Sequence, residues 1–220
     1  VSFAPRKALT LASGDAIEVK GQVCVGMGWD RAGITAVDVD SACVAMGYNG
    51  KVLMAETVYY GQLVSSNGAI RHSGDDTTGD GEGDDEVISI NLDRVPATVA
   101  ALIVVDTVAT EGQTFAALKS AKMRLVQAAS GVELCRTMPS LSGDSTAQFL
   151  CRIARQAKGA PWKMNVIGDV DKTSRDFGTL APELSHYMSD LVPNLVVDPT
   201  SRVAIMRKGG TVRLRDYNGG

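Results

Sequence analysis

Residues 99–109 read Val-Ala-Ala-Leu-Ile-Val-Val-Asp-Thr-Val-Ala, a nearly continuous apolar run. A run of this kind suits a central strand covered on both sides, so the chain must supply a sheet around it and material over both faces. Other stretches alternate instead. Val23, Val25, Met27 and Trp29 share one face of "VCVGMGW", and Ile88, Ile90 and Leu92 share one face of "VISINL". "VDVDSACVAM" alternates too, and "MRLVQ", "VELCRTM" and "WKMNVIG" add further strands. "YNGK", Tyr48–Lys51, predicts a hairpin turn, because Asn-Gly accepts positive φ at both central positions.

Two segments read as helices. Ser145 and Gln148 form a capping box before "FLCRIARQA", in which Phe149, Leu150, Ile153, Ala154 and Ala157 make an apolar stripe. In "APELSHYMSDL", Pro182 suits a first turn, and Leu184, Tyr187, Met188 and Leu191 recur at helical spacing. Many closely spaced strands with few helices predict a mainly β chain: a two-sheet β-sandwich with two short helices. At 220 residues there is room for one full domain and an appendage, placed here at 1–190 and 191–220. The extension contains "VAIMRKGGTVRLRDYNGG", which reads as two strands around Gly209-Gly210 and echoes "RKALTLASGD" near the start. It is either a terminal hairpin on the same domain or the start of a second, homologous domain. A chain that opens on Val1 also fits excision from a longer one.

Charge is concentrated in one place. Between Asp75 and Glu86 stand seven carboxylates, namely Asp75, Asp76, Asp80, Glu82, Asp84, Asp85 and Glu86, with no lysine or arginine among them. The net charge is -3, so the chain without those seven acids carries -3 + 7 = +4, and the acidity is local. Two like charges ~5 Å apart at an effective dielectric near 20 cost about 3 kcal/mol. Such a loop is either extended and solvated or neutralised by a cation. Gly79, Gly81 and Gly83 are interleaved with the acids and allow tight folding with carbonyls turned inward, which a solvated run has no need of. Every candidate ligand is a hard oxygen, and that suits calcium. Asp38 and Asp40 lie two apart on one strand face that continues as Ala42, Val44 and Met46. Carboxylates opening an apolar face belong at a rim, where the glycine loop can fold over them. The loop is not an EF-hand, since neither register starting at Asp76 or at Asp80 fits that pattern.

Other chemistry finds little support. Cys24, Cys43, Cys135 and Cys151 share no metal-ligand spacing and lie in apolar runs, as buried free thiols do. There is no dense basic patch for nucleic acid, no nucleophile elbow and no P-loop. No signal peptide and no membrane-spanning run are visible, which leads us to expect a soluble, cytoplasmic chain without membrane insertion. His72 reads as a loop histidine bonded to backbone, His186 as an exposed helix residue, and Trp29 and Trp162 as core.

Three motifs carry a resemblance. "GMGWD" (Gly26–Asp30), "VDVDSACVAM" and "HSGDDTTGDGEGDDEVISINLDRVP" (His72–Pro96), with "WKMNVIG" further on, resemble the strands and signature loop of the TerD family, the tellurite-resistance and stress-response domain. The resemblance implies a β-sandwich that binds calcium at one end and has no catalytic activity. It implies calcium ligands from Asp38, Asp40, Asp75, Asp76, Asp80, Glu82, Asp84, Asp85 and Glu86, with a backbone carbonyl from Thr78. With this many carboxylates more than one ion is expected, and unidentified protein partners are expected as well. This sequence departs from the family at Asp76, often Asn there, and in "DVDKTSRDFG", where a glycine-rich turn is usual. The alternative reading of the acidic cluster is a metal-dependent hydrolase or phosphoester-binding enzyme.

Overall fold

The computed structural model describes residues 9–33, 36–79, 83–141, 143–206 and 208. Its strands are β1 (Leu9–Thr10), β2 (Ala16–Val19), β3 (Gln22–Arg31), β4 (Val39–Gly47), β5 (Ile70–His72) and β6 (Glu86–Asn91), followed by β7 (Val99–Val108), β8 (Leu118–Gln127), β9 (Val132–Thr137), β10 (Ala147–Ala154), β11 (Trp162–Val166) and β12 (Val170–Asp171). They form two sheets. One runs β1-β9-β8-β3-β6-β5, the other β2-β11-β10-β7-β4 with β12 against β10. All pairings are antiparallel except β1 with β9.

The sheets face each other across a core of Val23, Val25, Met27, Ile88, Ile90, Leu102, Val104, Leu125 and Ile153, as the alternating strands require. The run at 99–109 becomes β7, the strand between β4 and β10, and every residue of it is buried. Its other face meets a second apolar cluster on the outside of that sheet, where Val44, Ile103, Val105 and Phe149 pack under Phe177, Leu180, Leu184 and Met188. The latter two flank the end of α1 (Ala181–His186), the single α-helix among the described residues, which has proline in its first turn but covers only the first half of the expected segment: residues 187–191 are turns.

The other expected helix is corrected. Residues 147–154 are β10, paired with β7 and β11. Among the described residues, short helical structure elsewhere consists of 3-10 turns at Met54–Glu56 and Phe115–Ala117. The chain does reverse at Tyr48–Lys51, with Gly50 at φ 71°, but Asn49 does not take positive φ. Beyond α1 the chain runs without strands from residue 195 to 206, lying over the outer cluster through Leu195, Val203 and Ile205. Gly209-Gly210 and residues 211–220, where the second half of the terminal strand pair was expected, lie outside the described residues. Among the described residues no helix is long and apolar enough to cross a membrane.

Candidate functional site

The acidic residues gather at one end of the sandwich, where β4 begins, β7 ends and the loop between β5 and β6 crosses. Asp38 is fixed through its backbone: its N–H donates to Thr110 Oγ1 at 2.8 Å, and its carbonyl accepts from Ala109 N at 2.9 Å. Asp40 stands two residues on, paired in register with Thr107 and buried. Period-two geometry turns both carboxylates the same way, and Asp75 reaches them from the loop. Carboxylate oxygens of Asp38, Asp40 and Asp75 lie within 4.8 Å of one another.

A cation of the chain itself stands among them. Lys208 Nζ is 2.8 Å from Asp38 Oδ2, 2.5 Å from Asp40 Oδ1 and 2.5 Å from Asp75 Oδ1. Burial pushes the Asp40 carboxyl up to about 7, against the lowering pull of the Lys208 ammonium. Burial raises Asp38 as well, again opposed by Lys208, and the three carboxylates together hold the lysine well above its ordinary value. The cluster opens on a cavity of about 390 Å³ lined also by Tyr60, Glu111 and Arg175.

Beneath the cluster lies a buried polar group that joins the two sheets. Glu86 begins β6 on the same inward face as Ile88 and Ile90 and is fully buried. Its Oε2 accepts from Ser41 N at 2.9 Å on the opposite sheet and lies 3.3 Å from His72 Nε2. Its Oε1 accepts from Asp76 N at 3.3 Å. Gly74 N–H donates to His72 Nδ1, which places the ring proton on Nε2, directed at Glu86 and at the Ser41 carbonyl 3.2 Å away. Ser41 Oγ donates to Asp106 Oδ1 at 2.8 Å, and burial pushes Asp106 up to about 7. Glu86 therefore ties strand β4, which carries Asp40, to the loop that carries Asp75 and Asp76.

The remaining predicted residues are committed elsewhere or not described. Asp76 closes a local turn, its Oδ1 accepting from Thr78 N, Thr78 Oγ1 and Gly79 N; these bonds hold its carboxyl below the usual range. Asp84 lies across the first sheet with both oxygens 2.9 Å from Arg124 Nε. It fits there because Gly26 has no side chain: a Cβ at that position would overlap the Asp84 carboxylate. Asp85 Oδ2 accepts from Trp29 N at 2.7 Å, and burial raises its carboxyl. Asp80 and Glu82 lie outside the described residues.

The sequence reading missed Lys208, Ser41 and Asp106. Lys208 left no local signal. Asp106 did: a lone carboxylate in a strand buried on both faces needs a partner. His72 is bonded to backbone as expected, but buried at the end of β5 and also facing Glu86. His186 is exposed, Trp29 and Trp162 are core residues, and the four cysteines are free, with Cys24 half-buried and the others buried.

The TerD domain family model matches residues 8–181, which takes in both sheets and the acidic loop. The chain belongs to the TerD family. Tellurium resistance protein TerZ of Serratia marcescens is 34% identical over 158 residues, covering 67% of this chain and 79% of TerZ. General stress protein 16U of Bacillus subtilis is 33% identical over 176 residues, 73% of this chain and 89% of its own. Among solved structures, a homologue of the telluride resistance protein TerD from Streptomyces coelicolor superposes with a TM-score of 0.61 at 21% identity. It covers 76% of this chain and 98% of its own. That likeness establishes the TerD-type sandwich. Residues 182–220, and with them Lys208, lie beyond the TerD family match.

Proposed function

We propose that this chain is a non-catalytic calcium-binding domain of the tellurite-resistance and stress-response type, acting in the cytoplasm, whose rim site steadies a surface for protein partners. One observation carries the reading: three carboxylates from two separate segments converge within 4.8 Å and already surround a positive charge. The donors fit calcium, being hard oxygens on a partly exposed rim where water can complete a shell of 6–8 ligands. Asp38, Asp40 and Asp75 would hold the ion. A divalent cation supplies charge neutralisation there and links the start of β4 to the β5–β6 loop. Asp80 and Glu82, in the same loop, are candidates for further ligation. Asp84 and Asp85 are less suited, being held by Arg124 and by the Trp29 backbone.

A non-catalytic role is supported by the polar group beneath. The Ser41 hydroxyl donates to Asp106, both side chains being buried, and His72 is directed at Glu86 and a carbonyl, so no histidine base is held on this serine and its hydroxyl is turned away from solvent. Thermal melting of chelator-treated protein tests the reading. Calcium at ~100 times its dissociation constant should add about 2.7 kcal/mol of stability, seen as a raised Tm. A Tm that does not move with calcium contradicts it.

A further inference from the structure

The acidic cluster and the C-terminal segment meet through Lys208, and this contact is where the segment's path ends among the described residues. The segment is held at four points. Leu195 sits over Gly50, where a Cβ would overlap the leucine side chain. Val203 N–H donates to the Gly178 carbonyl at 3.0 Å, and a Cβ on Gly178 would overlap the Val203 carbonyl. Tyr60 OH donates to the Met206 carbonyl at 2.9 Å. Last comes the Lys208 ammonium among Asp38, Asp40 and Asp75, which also lies 5.2 Å from the centre of the Tyr60 ring. Between these points Ile205 packs half-buried on the outer cluster, and the rest is lightly held: Val196 is 89% exposed and Met206 57% exposed, and no described residue from 191 onward is fully buried. A segment with so few buried contacts opens at low cost, so the ion pairs at its end weigh heavily in whether it stays down.

We propose that residues 195–206, together with Lys208, form a cation-released latch, in which Lys208 occupies the carboxylate cluster in place of a divalent ion and binding of that ion frees the segment from the outer face of the second sheet. This rests on the calcium reading of the same cluster. The oxygens that surround the ammonium are those that would ligate the ion, so the two cations exclude one another. Their coupling is reciprocal: the factor by which the seated lysine weakens ion binding is the factor by which the ion weakens the latch. Release uncovers the side chains under Val203 and Ile205, among them Tyr59 and Phe177, which belong to the same apolar cluster.

Hydrogen exchange read by mass spectrometry on the full chain, with calcium as the probe, tests the latch in wild type and in Lys208→Met. The Val203 amide, bonded to Gly178, is the reporter. In wild type, calcium should slow exchange in the acidic loop and speed it at residues 195–206. Lys208→Met should show the fast segment without calcium and bind calcium about tenfold more tightly. If calcium protects the loop while the segment's exchange stays unchanged or slows, and Lys208→Met binds no tighter, the latch is overturned and the calcium site stands. Binding by Lys208→Met alone would overturn calcium release of the segment in the wild-type chain and leave Lys208 as a fixed occupant of the cluster. Binding by neither protein overturns both.

Discussion

Lys208 Nζ lies 2.9 and 2.8 Å from the two carboxylate oxygens of Asp38, across a sequence separation of 170 residues. The contact joins a segment beyond the family-matched domain to the rim where that domain carries its acidic cluster. It also separates the acids that share a cation from those that do not, and this separation yields the first prediction.

Asp38→Asn and Asp40→Asn should each weaken calcium binding at least tenfold, about 1.4 kcal/mol. Asp84→Asn should leave the affinity nearly unchanged, because Asp84 faces Arg124 across the other sheet. Its effect should be confined to stability and stay below about 1 kcal/mol, since Arg124 is partly exposed. Titration of the three variants under one condition checks the contrast. Equal losses in all three would mean that the site extends over the first sheet.

Asp106 gives a pH dependence of defined sign. Burial raises its carboxyl from an ordinary value of 3.8 to about 7, so between those values the folded state keeps a proton that the unfolded state has lost. The stability this group contributes is full below about 4 and is lost as pH rises towards 7. Asp106→Asn, which keeps an oxygen for Ser41 Oγ but cannot ionise, should be close to wild type near pH 4 and should gain on it steadily up to pH 7. Urea melts of both proteins in chelator at several pH values measure the difference. A gap that stays flat across that window would show that Asp106 is not buried as a neutral acid.

Gly79 and Gly131 both have positive φ, at 62° and 65°. They differ in surroundings: a Cβ at Gly79 would overlap the Trp29 indole, while one at Gly131 meets open space. Gly79→Ala should therefore be more destabilising than Gly131→Ala by about 1–3 kcal/mol, since it adds a clash to a shared backbone strain. Equal losses in urea denaturation would mean that the acidic loop is not seated on Trp29.

The cysteines predict a reactivity order. Burial pushes Cys43 up to about 12 and Cys135 up to about 11, and raises Cys151 as well. Cys24 is half-buried beside Ser89 on β3. A thiol reagent should label Cys24 first under native conditions and reach the other three only on unfolding. Replacing any one cysteine by serine should leave calcium binding unchanged, and a loss of metal binding in one of these variants would put a thiol in the site.

Much of this architecture is legible in the sequence because period-two alternation and a long apolar run leave few alternatives. β3, β6 and β7 form where their patterns place them, and Asp38 and Asp40 stand at the rim because their row opens into the apolar residues Ala42, Val44 and Met46. The segment at 145–157 misleads for a physical reason. β10 is covered on both faces and carries a bulge between Phe149 and Cys151. The bulge shifts the alternation by one residue, so Phe149 packs outward while Leu150 and Cys151 both pack inward. The apolar positions 149, 150, 153 and 154 then imitate a helical stripe. The acidic loop announces a charge problem but not its partition, because Arg124 and the Trp29 backbone reach Asp84 and Asp85 through tertiary contacts. Lys208 was invisible for the same reason, since an ion pair across most of the chain leaves no trace in local pattern.

Calorimetric titration of chelator-stripped wild-type protein with calcium, repeated with magnesium, reads the rim site itself. Saturable calcium binding is expected, with magnesium much weaker because it holds its water and demands a tighter octahedron than three rim carboxylates supply. Absence of binding heat for calcium, with an unchanged melting temperature, would contradict the calcium reading and leave Asp38, Asp40 and Asp75 as a structural seat for Lys208.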